Sequence, residues 1–304
     1  MDGKLYDQVC SLPVLTDAWK RIKTKRSAGG LDRVSVADFE RDFNRNFEAL
    51  RGDLISRKYV PEPLERIAVP KMDGSGESRP LSLPSVRDKI VQQAVRSVIE
   101  PLFNPVFLDS SYAYRPGKGT VKVFKRVNHL LTVEKRRWVV LADFDKFFDT
   151  MDQDFAIQQV SRIVRDPDVL RLIRMWVKIG FVNNTGDYLD SDAGVGQGSE
   201  ISPLLSNIYA HPLDEYMMKK NYAYVRYSDN VIILCHSMKE ARTSLEDLKF
   251  FVKDMLKLSL NNDPQPIKTL DQGFVFLGIY YQNDSRAISH KKLLNTTAAF
   301  FIDN

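Results

Sequence analysis

The stretch YVRYSDNVIILC, residues 224–235, encloses a polar tripeptide between two apolar, strand-like runs. This pattern predicts a buried β-hairpin whose tip carries Ser228, Asp229 and Asn230. Aspartate is common in turns, so Asp229 alone does not define a functional site. The question is which other polar residues the fold brings to this tip.

A second carboxylate follows another buried strand. In WVVLADFDKFFDTMD, residues 138–152, Asp143 comes directly after the apolar run WVVLA. These two carboxylates, together with a Gly-rich helix entry in GVGQGSEISP and paired basic residues upstream, indicate metal-assisted phosphoryl transfer. Two Mg²⁺ ions a few ångströms apart need carboxylates from different elements that converge on one spot.

The charge of the chain is unevenly distributed. Residues 1–142 contain 26 Lys+Arg and 17 Asp+Glu, whereas residues 143–304 contain 18 and 22. A basic part joined to an acidic part suits a polyanion that one part grips and the other processes. A solvated surface with accidental asymmetry explains the same charges equally well.

The sequence also argues against several classes of protein. It has no apolar run long enough to cross a bilayer and no apolar segment typical of a signal peptide at its start. Its two cysteines, Cys10 and Cys235, are far apart and form no metal-binding or redox motif. We therefore expect a cytoplasmic protein without a membrane partner.

The predicted elements mix strands and helices without regular alternation, which favours an α+β fold over a doubly wound sheet. Apolar residues at helical spacing predict one amphipathic helix over residues 36–50, capped by Ser35, and another over 85–103. Further helices are expected over 153–180 and 238–258. Between them, ERIAVPKMDGSGESRPLSLPS predicts a β-hairpin with Lys71 before its turn and Arg79 after it.

Several blocks, taken in order along the chain, resemble the reverse transcriptase domain of bacterial group II intron-like retroelements, a family that extends to antiphage defence. The resemblance covers roughly residues 15–282, and several ordered blocks are more specific than any single motif. The blocks are AWKRIKTKRSAGGLD, IAVPKMDGSGESRPLSLPSVRDKIVQQAV, IEPLFNPVFLDSSYAYRPGKGT, LADFDKFFDTMD, GVGQGSEISPLLSNIYAHPLDEY, VRYSDNVIIL, LSLNNDPQPIKT and FVFLGIYY.

The resemblance implies a right-hand polymerase fold. Residues 1–140 would form the fingers and part of the palm, and residues 141–284 a ferredoxin-like palm. Residues 285–304 would be the start of a thumb or a truncated end, so the thumb is expected to be absent, short or supplied by a protein partner or oligomer. A polymerase without a thumb should be poorly processive.

The catalytic residues are likewise implied by the resemblance. Asp143, the backbone carbonyl of Phe144, and Asp229 would bind two Mg²⁺ ions, with Mn²⁺ as an alternative. Lys268, in the block IKT, resembles the lysine that protonates the leaving pyrophosphate. The preceding DPQP departs from the family spacing and weakens that last assignment.

The same resemblance implies the substrate contacts. Lys71 and Arg79 would hold the triphosphate of a dNTP, Gln197 would touch the nucleotide, and Phe148 would exclude a ribose 2′-hydroxyl. For one ring of the pair Phe147 and Phe148, plain core packing is the expected role. The nucleic acid would be contacted by Arg115, Lys118, Gly196 and Gly198.

The sequence departs from the family at the hairpin. The family reads Tyr-x-Asp-Asp, whereas this chain has Asn230 at the second aspartate, so one negative charge leaves the site. Asp145 stands where the family has lysine. If the strand continues through Asp145, its side chain shares a face with Asp143 and returns some charge. Pairing of Asp145 with Lys146 or a nearby arginine at the surface is the competing interpretation.

Three functions follow from this interpretation. The first is an RNA-directed DNA polymerase that uses two-metal nucleotidyl transfer with dNTPs, a DNA primer and an RNA template or associated non-coding RNA. Its setting would be antiphage defence or a retroelement, and the lack of an endonuclease or maturase region favours defence. The second is a template-independent or self-primed DNA synthesiser. The third is an inactive RNA-binding module, which Asn230 favours.

Overall fold

The computed structural model describes residues 4–25, 28–70, 76, 78–283 and 285–288, and these form a mixture of helices and sheets. The helices are α1 Lys4–Val9, α2 Leu12–Lys25, α3 Val36–Arg41, α4 Phe43–Ile55, α5 Val86–Phe103, α6 Thr120–Thr132, α7 Phe147–Thr150, α8 Gln153–Ser161, α9 Pro167–Lys178, α10 Ser202–Lys219 and α11 Met238–Phe250. The strands are β1 Leu64–Pro70, β2 Ser78–Leu83, β3 Trp138–Asp143, β4 Phe181–Val182, β5 Tyr188–Leu189, β6 Ala223–Tyr227, β7 Asn230–Cys235, β8 Ile267–Thr269, β9 Phe274–Phe276, β10 Ile279–Gln282 and β11 Ser285–Ile288. The predicted α+β class is confirmed.

The chain divides into two compact units that each combine separate segments. Unit 1 comprises Met1–Val69, Arg79–Val106 and Phe148–Tyr209, and unit 2 comprises Pro70–Ser78, Phe107–Phe147 and Ala210–Asn304. The boundaries of these units differ from the predicted boundary at residue 140. The assignment of residues 1–140 to fingers and of 141–284 to the palm stays a prediction. Most of the predicted thumb segment, residues 285–304, lies outside the described residues. Of this segment the structure describes only β11.

Unit 1 is mainly helical, and its longest helix is the one that the sequence predicts best. Helix α5 begins at the cap Ser85, whose side chain accepts a hydrogen bond from the Asp88 amide, and packs against α2. The predicted helix over 36–50 is instead two helices. Ser35 forms the expected capping box with Asp38, but the backbone of Asp42 leaves the helical region at ψ 44° and separates α3 from α4.

The sheet of unit 1 has the strand order β2-β1-β4-β5, in which β1 and β4 are parallel. The predicted hairpin is present as the neighbours β1 and β2, but Lys71 and most of its turn lie outside the described residues. The helix expected over 153–180 is interrupted as well. It forms α8 and α9, and Asp166 caps α9 by accepting hydrogen bonds from the amides of Asp168 and Val169.

Unit 2 is built on the antiparallel sheet β6-β7-β3-β8, with β3 and β7 at its centre. The apolar side of α6 packs on one face of this sheet and forms a buried cluster with β3, β6 and β7. A second sheet, β11-β10-β9, contributes the stacked rings of Phe274 and Tyr281 to the same cluster. The helix expected over 238–258 is α11, which continues as a π-helical turn over Phe251–Met255.

No helix within the described ranges is both long and apolar enough to span a lipid bilayer.

Candidate active site

The hairpin quoted above is formed by β6 and β7 and has a two-residue turn, Ser228 and Asp229. Asn230 is therefore the first residue of β7 rather than part of the tip. Ser228 has φ 58°, in the left-handed region that costs most L-residues on the order of 1 kcal/mol or more. The turn must be held in place by its surroundings.

The sheet register brings the two strand-end carboxylates together. Asp143 is the last residue of β3 and pairs directly with Asn230 across the β3–β7 ladder. The next amide, that of Phe144, donates a hydrogen bond to the carbonyl of Asp229 at 3.2 Å. Asp143, Asp229 and Asn230 thus meet at one end of the central strand pair, as expected from the sequence.

Each of the two carboxylates accepts a hydrogen bond from a neighbouring amide side chain. Asn261 Nδ2 donates to Asp143 Oδ2 at 2.7 Å, and Asn230 Nδ2 donates to Asp229 Oδ1 at 3.1 Å. The Asn261 backbone amide also donates to the Asp143 carbonyl, at 2.8 Å. Sequence analysis did not identify Asn261, although it lies in a block that was quoted.

The surroundings of Asp143 disfavour its charged form. Burial and then the charge of Asp229 raise the pKa of Asp143 to about 6, while the hydrogen bond from Asn261 opposes this shift. The other carboxylate oxygen, Asp143 Oδ1, is buried and has no hydrogen-bond donor in the described part of the chain. A cation beside this oxygen would offset the repulsion and complete its coordination.

The donor set fits Mg²⁺, which prefers oxygen ligands and few carboxylates. The described residues contain no group of three or more His, Cys, Asp or Glu side chains arranged around one metal position. The charged ligands considered for this site are therefore the carboxylates of Asp143 and Asp229. The proposal that Asp145 adds a third charge required the strand to continue through it. Instead β3 ends at Asp143, and the Asp145 amide, in the following turn, donates to the Ser259 carbonyl at 2.8 Å. After burial and the charge of Asp229, the charge of Asp145 still contributes to the raised pKa of Asp143, so the charge is returned without a continued strand.

A cleft of about 750 Å³ in unit 2 adjoins this site. Asp143, Asn230 and Lys268 all line it. Lys268 lies on β8 opposite Val139, four residues before Asp143, which corresponds to roughly 13 Å along the strand. The structure therefore places Lys268 in the same cleft as Asp143 but not beside it.

The aromatic residues after Asp143 differ in exposure. Phe144 and Phe147 are buried and pack edge to face with ring centroids 5.0 Å apart, so Phe147 is the core residue of the predicted pair. Phe148 is only partly buried. By the boundary between the units, Phe148 belongs to unit 1, as do Arg79 and Gln197.

Within unit 1, the Gly196-Gln197-Gly198 loop packs against β2. The Gln197 carbonyl accepts a hydrogen bond from the Ser82 amide at 2.7 Å. Gly198 has φ 116°, and a Cβ there would lie 2.5 Å from the Ser82 carbonyl oxygen. Arg79 is exposed on the same strand. A backbone hydrogen bond therefore fixes the loop that carries Gln197 to the strand that carries Arg79.

The two predicted nucleic-acid contacts from the loop before α6 have protein partners in the structure. Arg115 donates to the carbonyls of Phe107, Leu108 and Ser111 at 2.6 to 3.1 Å. Lys118 pairs with Asp109 at 2.6 Å and lies 5.1 Å from the centre of the Tyr112 ring. Arg115 therefore stabilises this loop.

Beneath the hairpin turn lies a buried ion pair that sequence analysis missed. Arg226 and Asp214 are both 0% exposed and form a bidentate pair at 2.8 and 2.6 Å. Although burial disfavours its charge, contact with Asp214 raises the pKa of Arg226 above its usual value. Arg226 also donates hydrogen bonds to the Ser228 carbonyl from Nη1 and to the Ser111 hydroxyl from Nη2.

Comparison with known proteins identifies relatives over most of the chain. A sequence profile described as "Reverse transcriptase (RNA-dependent DNA polymerase)" matches residues 69–281. Protein YkfC of Escherichia coli (strain K12) is 29% identical over 286 residues, which cover 82% of this chain and 74% of YkfC. Group II intron-encoded protein LtrA of Lactococcus lactis subsp. cremoris is 32% identical over 228 residues, 74% of this chain but only 37% of LtrA.

Solved structures support the fold independently of sequence. Apo telomerase from Candida tropicalis, truncated from its C-terminal domain, superposes with a TM-score of 0.56 at 13% identity and covers 80% of this chain and 60% of that one. At this identity the likeness concerns the fold alone. It agrees with the predicted right-hand polymerase fold.

Proposed function

The chain belongs to the reverse transcriptase family, whose members are RNA-directed DNA polymerases, and we propose that the end of β3 and the β6–β7 turn form its catalytic centre. The observation that carries this proposal is the pair Asp143 and Asp229 at adjacent strand ends, with one buried carboxylate oxygen left without a donor. Such a pair is suited to holding divalent cations at a polyphosphate.

The catalytic step would be nucleotidyl transfer by positioning and electrostatics. Asp143 and Asp229, with the Phe144 carbonyl, would hold two Mg²⁺ ions, which when bound activate the primer 3′-hydroxyl and neutralise the triphosphate; Mn²⁺ could replace them. Asn261 orients the Asp143 carboxylate by donating a hydrogen bond from Nδ2 to Asp143 Oδ2. Lys268 would protonate the leaving pyrophosphate after movement of its long side chain through the cleft.

Most of the proposed nucleotide contacts belong to unit 1, whereas Lys71 falls in the Pro70–Ser78 segment of unit 2. Arg79 and Lys71 would bind the dNTP phosphates, and Gln197 would support the nucleotide from a loop already fixed to β2. Phe148 would exclude the ribose 2′-hydroxyl, since Phe147 is committed to the core. Gly196 and Gly198 would allow the template–primer backbone to approach. In unit 2, Lys118 would contact nucleic-acid phosphates, and Arg115 supports the loop that carries it.

Primer extension tests this proposal. The protein is given an RNA template with a DNA primer and labelled dNTPs, and Asp143→Ala and Asp229→Ala serve as inactive variants. Template-dependent incorporation that both substitutions abolish is expected. Incorporation without template would instead support the template-independent synthesiser. If wild-type protein incorporates nothing with Mg²⁺ or Mn²⁺ but binds RNA, the inactive binding module, which the replaced carboxylate at Asn230 favours, is the better description.

The biological setting is also a proposal. LtrA is a group II intron-encoded protein, so a retroelement is one setting, and antiphage defence in the cytoplasm is the other. An associated non-coding RNA and a protein partner or second copy belong to the same proposal. Phage plating on cells expressing wild type or Asp229→Ala separates the settings, because only a defence enzyme lowers plating in an activity-dependent way.

A further inference from the structure

A groove of about 480 Å³ lies in unit 2 beside β6, one of the two edge strands of the sheet β6-β7-β3-β8. Its walls are the segment before α6, the first turns of α6, and the residues around Tyr222 and Tyr224. None of its lining residues lines the cleft that contains Asp143. Its volume is typical of a ligand site, and among its lining residues only Lys118 has a role in the proposed function.

The groove is strongly basic. Its lining includes Lys118, Lys122, Lys125 and Arg126, against a single acid, Asp109. A hydrogen bond from Lys118 holds the pKa of Asp109 below its usual range, so this acid is charged and already paired. In the described ranges, neither Lys122 nor Lys125 has an ion-pair partner. Excess positive charge therefore remains in the groove.

A buried hydroxyl in the groove also lacks a partner. Ser110 is 6% exposed, and its Oγ forms no hydrogen bond with any residue that the structure describes. Burying a hydroxyl without a partner is unfavourable, because the hydrogen bond that it made to water is not replaced. The backbone carbonyl of Ser110, in contrast, accepts a hydrogen bond from the Arg226 amide at 2.8 Å. An oxygen-rich ligand would satisfy the hydroxyl and the lysines together.

We propose that this groove binds the phosphate backbone of an RNA strand, at a site separate from the catalytic cleft. Ser110 Oγ donates to a phosphate oxygen, and Lys122 and Lys125 contact phosphates through their ammonium groups. Lys122, Lys125 and Arg126 lie within about one turn of α6. Together with Lys118 before the helix they carry more charge than one phosphate needs, which favours a strand over a free nucleotide. The half-buried Tyr222 ring offers a surface on which a base can stack.

Binding of a fluorescent 20-nucleotide RNA, measured in EDTA without dNTPs, tests the proposal independently of polymerase activity. The double variant Lys122→Glu/Lys125→Glu is expected to bind at least tenfold more weakly than wild type. Its slope of log affinity against log salt should be shallower by about 1.4, because a single-strand contact contributes about 0.7. The matched control Lys239→Glu/Lys253→Glu changes the same charge at exposed sites elsewhere in unit 2 and should bind within twofold of wild type.

Ser110→Ala provides a second measurement with little risk to folding. It should weaken RNA binding several-fold while raising the melting temperature, since an unpaired buried hydroxyl is removed. Cross-linking with 4-thiouridine RNA should label peptides that contain Tyr112 or Tyr222. Equal affinity of the Lys122/Lys125 double variant and its control would overturn the proposal. Competition experiments provide a second way to overturn it. If inorganic phosphate or polyglutamate displaces the labelled RNA as well as unlabelled RNA does at equal total charge, the groove is a general site for anions or acidic proteins.

Discussion

Arg226 Nη1 donates a hydrogen bond to the backbone carbonyl of Ser228 at 3.1 Å, directly before Asp229 in the turn. The donor is fully buried and fixed by its bidentate pair with Asp214, whereas the acceptor belongs to a residue with positive φ. The ion pair thus stabilises a strained turn that presents a proposed metal ligand. Its role is positioning, because Arg226 contacts the turn and not the metal site.

The first prediction separates this positioning role from stability. Arg226→Met leaves Asp214 as an unpaired buried charge and should lower the free energy of unfolding by about 3–5 kcal/mol. The double variant Arg226→Met/Asp214→Asn removes both charges and keeps an acceptor for the Tyr224 hydroxyl, which donates to Asp214 at 3.0 Å. We expect it to recover most of the stability but to remain at least tenfold below wild type in kcat. Recovery of both quantities in urea unfolding and primer extension would show that Arg226 is merely structural.

The second prediction concerns the residue opposite Asp143. Because Asn230 pairs directly with Asp143, Asn230→Asp would set two like charges across the ladder, which is destabilising. In EDTA at pH 7.5 the variant should unfold about 1–2 kcal/mol more easily than wild type. Mg²⁺ or Mn²⁺ should stabilise it more than wild type, because three carboxylates then share the cations.

Asn221→Asp is the control for this experiment, since Asn221 is exposed and its φ of 60° is tolerated by aspartate. It makes the same chemical change away from the site and should show neither effect. Thermal unfolding across a metal titration measures both variants. A metal response of Asn230→Asp equal to that of the control would place residue 230 outside the metal site.

The parts of this arrangement that sequence patterns predict are local. Periodic apolar residues and a cap identify α5, and two apolar runs around polar residues identify the hairpin. Asp143 and Asp229 stand out because each ends a buried strand. These signals lie within a few residues of the feature that they predict, so no tertiary information is needed.

Contacts between distant residues are what the sequence does not reveal. Asn261 lies 118 residues from Asp143 and has no periodicity that marks it. Arg226 occupies an inward position of β6, where a charged residue is unexpected until Asp214 is seen opposite. The break at Asp42 is a backbone effect within a continuous amphipathic pattern, which periodicity cannot detect.

The third prediction follows from the pKa of Asp143. The pKa is raised from 3.8 to about 6, so the folded protein favours the protonated form. The unfolded state then binds fewer protons between these values, and the metal-free protein loses stability as pH rises from about 4 to 6. The full shift corresponds to about 3 kcal/mol, and solvent screening at this partly exposed group reduces it to about 1–2 kcal/mol.

Asp143→Asn should therefore stabilise the metal-free protein at pH 7.5 while abolishing primer extension. Urea unfolding in EDTA at pH 4.5 and 7.5 measures the effect. The advantage of Asp143→Asn over wild type should be small at the lower pH and larger at the higher one. Asp254→Asn, at an exposed position of the π-helical turn, is the control and should give the same difference from wild type at both pH values. A variant advantage that does not change with pH would contradict the assignment.

The fourth prediction uses two glycines with opposite requirements. Gly198→Ala introduces a Cβ 2.5 Å from the Ser82 carbonyl oxygen at φ 116°, so the loop that carries Gln197 must move off β2. We expect a loss of about 2 kcal/mol or more in stability and a higher KM for dNTPs.

Gly52→Ala is the matched control, because Gly52 lies within α4 and nothing is within 4 Å of the added carbon. Alanine there should stabilise the protein by up to about 1 kcal/mol and leave the KM unchanged. If Gly198→Ala raises no KM while lowering stability, the loop supports the fold of unit 1 but does not position the nucleotide.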